Sequence, residues 1–150
     1  MEHLHGLMTR EESDAFADRI EAHWRDRGFG LWALEVPGEA ELIGYTGLAV
    51  HPFMPQPEIG WRLARRFWGR GLATEAARAA LADGFERIGL AEVVSFTIPA
   101  NVRSTRVMER LGMTHDPRDD FDHPRFPPGH RLSRHVLYRM DRARWRTINP

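Results

Sequence analysis

Apolar and polar positions recur with two different periods along this 150-residue chain. Between Thr9 and Gly28, Phe16, Ile20 and Trp24 repeat at four-residue spacing, which predicts an amphipathic helix. Thr9 and Glu12 have capping-box spacing at its start, and Gly28 and Gly30 end it. The period then drops to two. FGLWALEV and LIGYTGLAV flank the turn PGEAE and predict a β-hairpin over residues 30–36 and 41–50. HPFMPQP, residues 51–57, predicts a proline-rich loop, and EIGWRL, residues 58–63, a further strand.

From Gly71 to Ile88 the helical period returns. Ala73, Ala76, Ala77, Ala80, Leu81, Gly84 and Ile88 share a face small enough to lie close on a sheet, and Gly89 stops the helix. AEVVSFTI is rich in β-branched residues and predicts a buried strand. Asn101 caps a short helix through Leu111, ended by Gly112. Residues 116–130 predict a polar loop, and HVLYRMDRARW a closing strand. The order α, β-hairpin, β, α, β, α, β predicts a mixed α/β (α+β) fold. Its central mixed sheet carries helices on both faces, with a crossover around residues 58–98.

Composition narrows the class. Hydrophobic residues make up 42% and charged residues 28%, the balance of an ordinary soluble globular protein. The length suits one domain, residues 1–150, with a real core. No apolar run approaches the ~20 residues of a membrane span, and MEHLHGLMTREESDAF lacks the apolar centre of a signal peptide. A cytoplasmic location is the resulting expectation. There is no cysteine, which removes disulfides, a thiolate nucleophile and cysteine zinc sites. Basic and acidic residues balance at 21 each, and every basic one is arginine. Charge gives no footprint for nucleic acid, and the five scattered tryptophans read as core or cleft wall.

One stretch carries chemistry. Residues 65–76 read RRFWGRGLATEA, a Gly-x-Gly turn between a strand and a helix. Such a turn aims backbone N–H groups at one spot, and the helix dipole adds positive charge there. A bound pyrophosphate suits it, although a plain structural turn uses the same glycines. A P-loop needs a lysine, which the chain lacks. A dinucleotide-binding turn needs a third glycine where Thr74 stands, and the acid about 20 residues on, Glu92, opens its strand instead of closing it.

Arg66-Phe67-Trp68-Gly69-Arg70-Gly71 resembles the Arg/Gln-x-x-Gly-x-Gly/Ala signature of the GNAT N-acetyltransferases. Around it, EIGWRL, ATEAARAAL, NVRSTRVMERLGM and HVLYRMDRARW resemble blocks of the branch of ribosomal-protein N-terminal acetyltransferases, in order, across about residues 9–145. The resemblance implies a GNAT-like acyl-CoA N-acyltransferase fold and one N-acetyltransferase domain. It implies direct transfer of an acetyl group from acetyl-CoA, in a ternary complex, to a protein N-terminal α-amine or a small-molecule amine. No metal is implied. A non-catalytic acyl-CoA-binding module is the alternative.

The resemblance also assigns roles. Arg66, Phe67, Trp68, Gly69, Arg70 and Gly71, with Ala73 and Thr74, would hold the CoA pyrophosphate. Backbone N–H groups at a bulge near Trp61, Arg62 and Leu63 would stabilise the oxyanion. Asn101 would contact CoA or water, and is equally a favoured helix cap. Ser104 would protonate the leaving thiolate, since the family's usual tyrosine position holds Met108; a serine in a first helical turn is also commonplace. Glu58 would be the general base, or else a strand-edge charge in solvent. His3, His5 and the cluster Asp119, Asp120, Asp122 and His123 lack a metal-ligand pattern. The family begins with a strand and a helix ahead of the segment matched by residues 9–34. Those elements usually shape the amine side of the cleft; their expected absence here means a mis-set start, a sheet edge open to association, or an edge filled by a partner chain, a homodimer included.

Overall fold

The computed structural model describes residues 8–150. Thr9 opens helix α1, Arg10–Arg27. Its hydroxyl accepts from the Glu12 N–H, and the Glu12 carboxylate accepts from the Thr9 N–H, so the capping box forms. Thr9→Ala is expected to cost about 1 kcal/mol, read as a lower urea midpoint, while Thr9→Ser keeps the midpoint.

Three antiparallel strands follow: β1 (Leu31–Val36), β2 (Ala40–His51) and β3 (Met54–Leu63). Residues 51–57 are therefore not a loop. Pro52 and Phe53 make a tight turn and β3 starts at Met54. The prolines at 55 and 57 cost ladder bonds without ending the strand. Register runs unbroken from Gly44↔Leu63 to Ala49↔Glu58, then shifts before His51↔Met54. Beside the shift, the Val50 N–H donates to His23 Nε2 on α1 at 3.0 Å, and His23 Nδ1 donates to the Phe29 carbonyl at 2.8 Å. One imidazole thus satisfies backbone groups from two segments.

Helix α2 (Leu72–Ala82) widens into a π-type turn, Asp83–Ile88, before Gly89 ends it. Strand β4 (Glu92–Thr97) and helix α3 (Val102–Arg110) lie where the periodicity put them. The polar stretch 116–130 is not wholly irregular: after β5 (Thr114–His115) it contains β6 (Phe121–Asp122). The closing strand β7 (Arg134–Asp141) also stops earlier than its apolar pattern suggested. Asp141 accepts from the Arg144 N–H at 2.7 Å and so caps a last helix, α4 (Arg142–Ile148).

The sheet order is β1-β2-β3-β4-β7-β5, with β6 alongside β7. Among the described residues only β3 and β4 pair in parallel, joined through α2. Ala77, Ala80 and Leu81 of α2 pack on Leu48, Ile59 and Val93 in the main core, where Trp145 stacks on Phe85. Phe16 of α1 meets Tyr45 at 5.6 Å. Tyr45 and Leu48 are three residues apart on β2, so they point to opposite sides. Helices therefore cover both faces, as the element order predicts.

Candidate active site

Strands β3 and β4 meet at one pair, Glu58↔Val94, and then diverge. Arg62 pairs with Tyr45 of β2, and strand alternation turns the N–H groups of Trp61 and Leu63 the other way, into the gap. The Leu63 carbonyl on that side accepts from Trp68 Nε1 at 2.9 Å, and the Ile59 carbonyl accepts from the buried Ser95 hydroxyl at 2.9 Å. The bulge implied near Trp61 is absent, since β2–β3 register is regular from Gly44 to Ala49. Divergence of β4, not an inserted residue, leaves these donors facing open space.

The gap opens into a cleft of about 660 Å³. Glu58, Trp61, Arg62, Leu63, Phe67, Trp68, Gly69, Gly71, Ala73, Thr74, Asn101 and Ser104 all line it. Among the residues assigned from sequence, Arg66 and Arg70 do not. Arg66 lies over the Phe67 ring at 4.9 Å, and Arg70 pairs with Glu39 at 2.9 Å. They brace the turn from outside. Arg103, which sequence reasoning passed over, lines the cleft and lies 4.2 Å above the Trp68 ring. Arg106 and Arg110 continue that basic wall.

The turn fits a pyrophosphate on the chain's own evidence. Gly69 and Gly71 both adopt φ 75°, and a Cβ at either would meet nothing within 4 Å. Backbone conformation therefore demands glycine there, and the space beside it is open. Gly71 is the N-cap of α2 and gives no side-chain cap to the first-turn N–H groups. Thr74 Oγ1 is buried with no hydrogen-bond partner. An orphaned hydroxyl beside an uncapped helix start marks a place for an external anion.

On the other wall, His51 Nε2 donates to Glu58 Oε1 at 2.7 Å. The His51 ring stacks on Phe53 and meets the edge of Phe96, at 5.2 and 5.8 Å. Burial holds the Glu58 carboxyl above the usual carboxylate range, while the hydrogen bond and charge of His51 oppose that rise. Glu58 is thus a half-buried carboxylate hydrogen-bonded to His51. His51 was missed because it reads as loop until the early start of β3 sets it opposite Glu58.

Asn101 caps α3 through the Ser104 N–H at 3.4 Å, and its amide donates to Thr97 Oγ1 at 3.0 Å. Asp119 pairs with Arg139, and Asp120 accepts from His115 and from the Leu137 N–H. Those acids are spent on structure. Among the described residues no three potential ligands gather for a metal, and no helix is long and apolar enough to cross a membrane. His3 and His5 lie outside the described residues.

Residues 1–114 match the Acetyltransferase (GNAT) domain. The chain belongs to that family, whose members use acetyl-CoA to acetylate nitrogen. It is 36% identical to an FsC-acetyl coenzyme A-N(2)-transacetylase of Aspergillus fumigatus, across 79% of this chain but only 52% of that protein. The chain therefore spans about half the length of that relative. An acetyltransferase structure from Agrobacterium tumefaciens superposes with a TM-score of 0.72 at 30% identity, over 90% of this chain and 74% of the other. A ribosomal-protein-S5-alanine acetyltransferase from Vibrio fischeri gives 0.74 at 16% identity, over 95% and 80%, a likeness of fold alone.

Proposed function

We propose that this chain transfers the acetyl group of acetyl-CoA directly to a primary amine held beside Glu58, without a covalent enzyme intermediate. The supporting observation is the meeting, in one cleft, of an anion cradle at Gly69–Gly71 and a half-buried carboxylate at Glu58. Gly69, Gly71, Ala73 and Thr74 hold the pyrophosphate, and Arg103 adds charge beside it. Bound there, acetyl-CoA supplies the thioester.

Glu58 takes a proton from the amine as its nitrogen attacks. The N–H groups of Trp61 and Leu63 stabilise the thioester oxygen as it gains charge. A C–N bond forms, the C–S bond breaks, and Ser104 passes a proton to the departing sulfur, itself reprotonated from solvent. Asn101 positions Ser104 by capping α3. The absence of cysteine supports direct attack, and an α-amine titrating near ~8 is already partly neutral at physiological pH. The acceptor is a small-molecule amine or an N-terminal α-amine.

The test is release of CoA thiol from acetyl-CoA on addition of amines, alongside thermal unfolding with CoA. Amine-dependent thiol release is expected. A midpoint raised by CoA with no thiol release on any amine would leave only a CoA-binding module. The His51 pair adds a sign test. Replacing His51 by Phe removes a group that favours ionised Glu58, so the acid limb of the pH–rate profile moves to higher pH. An unmoved limb removes His51 from the site.

A further inference from the structure

The cleft has a second arm, and its lining bears on which amine enters. Leu31↔Gly47↔Gly60 form one row across β1, β2 and β3, and Ala49↔Glu58 the next row but one. Paired residues share a sheet face, so Leu31, Tyr45, Gly47, Ala49, Glu58 and Gly60 all stand on the face opposite the α2 core. That face is a trough. Gly47, Ala49 and Gly60 make a floor nearly without side chains. Leu31 and the Phe16–Tyr45 pair wall one end, and His51 with Phe96 the other. From Tyr45 to His51 the trough runs about 20 Å along β2.

Charge on this arm is sparse. Among the described lining residues it holds one carboxylate, Glu58, and one guanidinium, Arg62 at the Tyr45 end. Beyond Glu58 the wall is Phe96, backed outside the lining by the rings of Phe53, Phe121 and His123, with Phe53 and His123 in edge contact at 4.7 Å. Burial, with the nearby charges of His135, His51 and Arg125, pushes His123 down to about 4, so it is neutral near pH 7. A single carboxylate compensates a single ammonium. A second cation would be desolvated against rings or set near the Arg62 guanidinium, with no further carboxylate among the described lining residues.

Resting on the activity proposed above, we infer that this arm binds the acceptor, and that the acceptor is a primary amine with one positive charge and an apolar body. The nitrogen sits at Glu58 and the body lies on the Gly47–Ala49–Gly60 floor. Polyamines are the disfavoured class.

Gly60 gives a clean steric test. A Cβ there would meet no atom within 4 Å, and its φ is not in the left-handed region, so a side chain enters the trough without straining the strand. The experiment compares kcat/KM for 2-phenylethylamine, hexylamine and spermidine at saturating acetyl-CoA, in the full chain and in Gly60→Ala and Gly60→Val. Both monoamines are expected to exceed spermidine by about 100-fold, the cost of one unpaired buried cation. KM for 2-phenylethylamine should rise stepwise through Ala to Val, by about tenfold at Val, with CoA affinity unchanged. Spermidine used as well as the monoamines, or Gly60 variants that leave KM unchanged, overturns this inference and leaves acetyl transfer standing. Thiol release on no amine overturns both. Gly60→Ala remains readable if Gly60→Val does not fold.

Discussion

Glu58→Gln is expected to lower kcat by about 10²-fold or more and to leave acetyl-CoA affinity unchanged. The amide keeps the shape of the carboxylate and still accepts from His51, but it cannot take the amine's proton. The variant should also be more stable at neutral pH. Glu58 folds into a setting that raises its carboxyl above the ordinary 4.5. Its protonated form is therefore favoured in the folded state. The stability it contributes is full below pH 4.5 and is lost as pH rises through the raised folded value. Glutamine carries no such penalty. Thermal midpoints across pH 4 to 8 should separate in the variant's favour as pH climbs. Equal activity would remove Glu58 as base, and a midpoint gap that does not grow with pH would remove its burial penalty.

Gly71→Ala is expected to weaken acetyl-CoA binding about 100-fold, or about 2.7 kcal/mol. Two effects combine. Alanine at φ 75° costs about 1–2 kcal/mol in backbone strain, and relief of that strain moves the first-turn N–H groups. The new methyl also projects into the open space beside the turn, where the proposed pyrophosphate site lies. A truncated thioester donor, acetyl-S-N-acetylcysteamine, has no pyrophosphate. Its kcat/KM should change far less than that of acetyl-CoA. An equal fall for both donors would show damage to the fold rather than loss of the cradle.

The sequence carried the elements whose signals are local. Thr9 and Glu12, the small-residue face of α2 and the Asn101 cap are each decided within a few residues. It failed where tertiary pairing overrides local chemistry. Prolines 55 and 57 read as loop, yet β3 absorbs them by shifting register and leaves Val50 to His23. Arg142 to Trp145 continue an apolar pattern, yet the Asp141 cap begins a helix. At the site, the Gly-x-Gly turn was legible because its geometry is built into glycine. His51 was not, because its contact with Glu58 depends on a hairpin turn that sequence period does not fix. The resemblance implied a bulge near Trp61; the structure reaches an open donor there by strand divergence.

The basic side chains lining the cleft, Arg62, Arg103, Arg106 and Arg110, are all guanidinium groups, in a chain with no lysine. A guanidinium stays protonated near pH 7 and is a poor nucleophile. A lysine at any of these positions would place a reactive amine beside an activated acetyl group. The cleft can thus draw in an anionic donor by charge while offering it no side-chain amine to consume, so side reaction with its own binding residues is closed off.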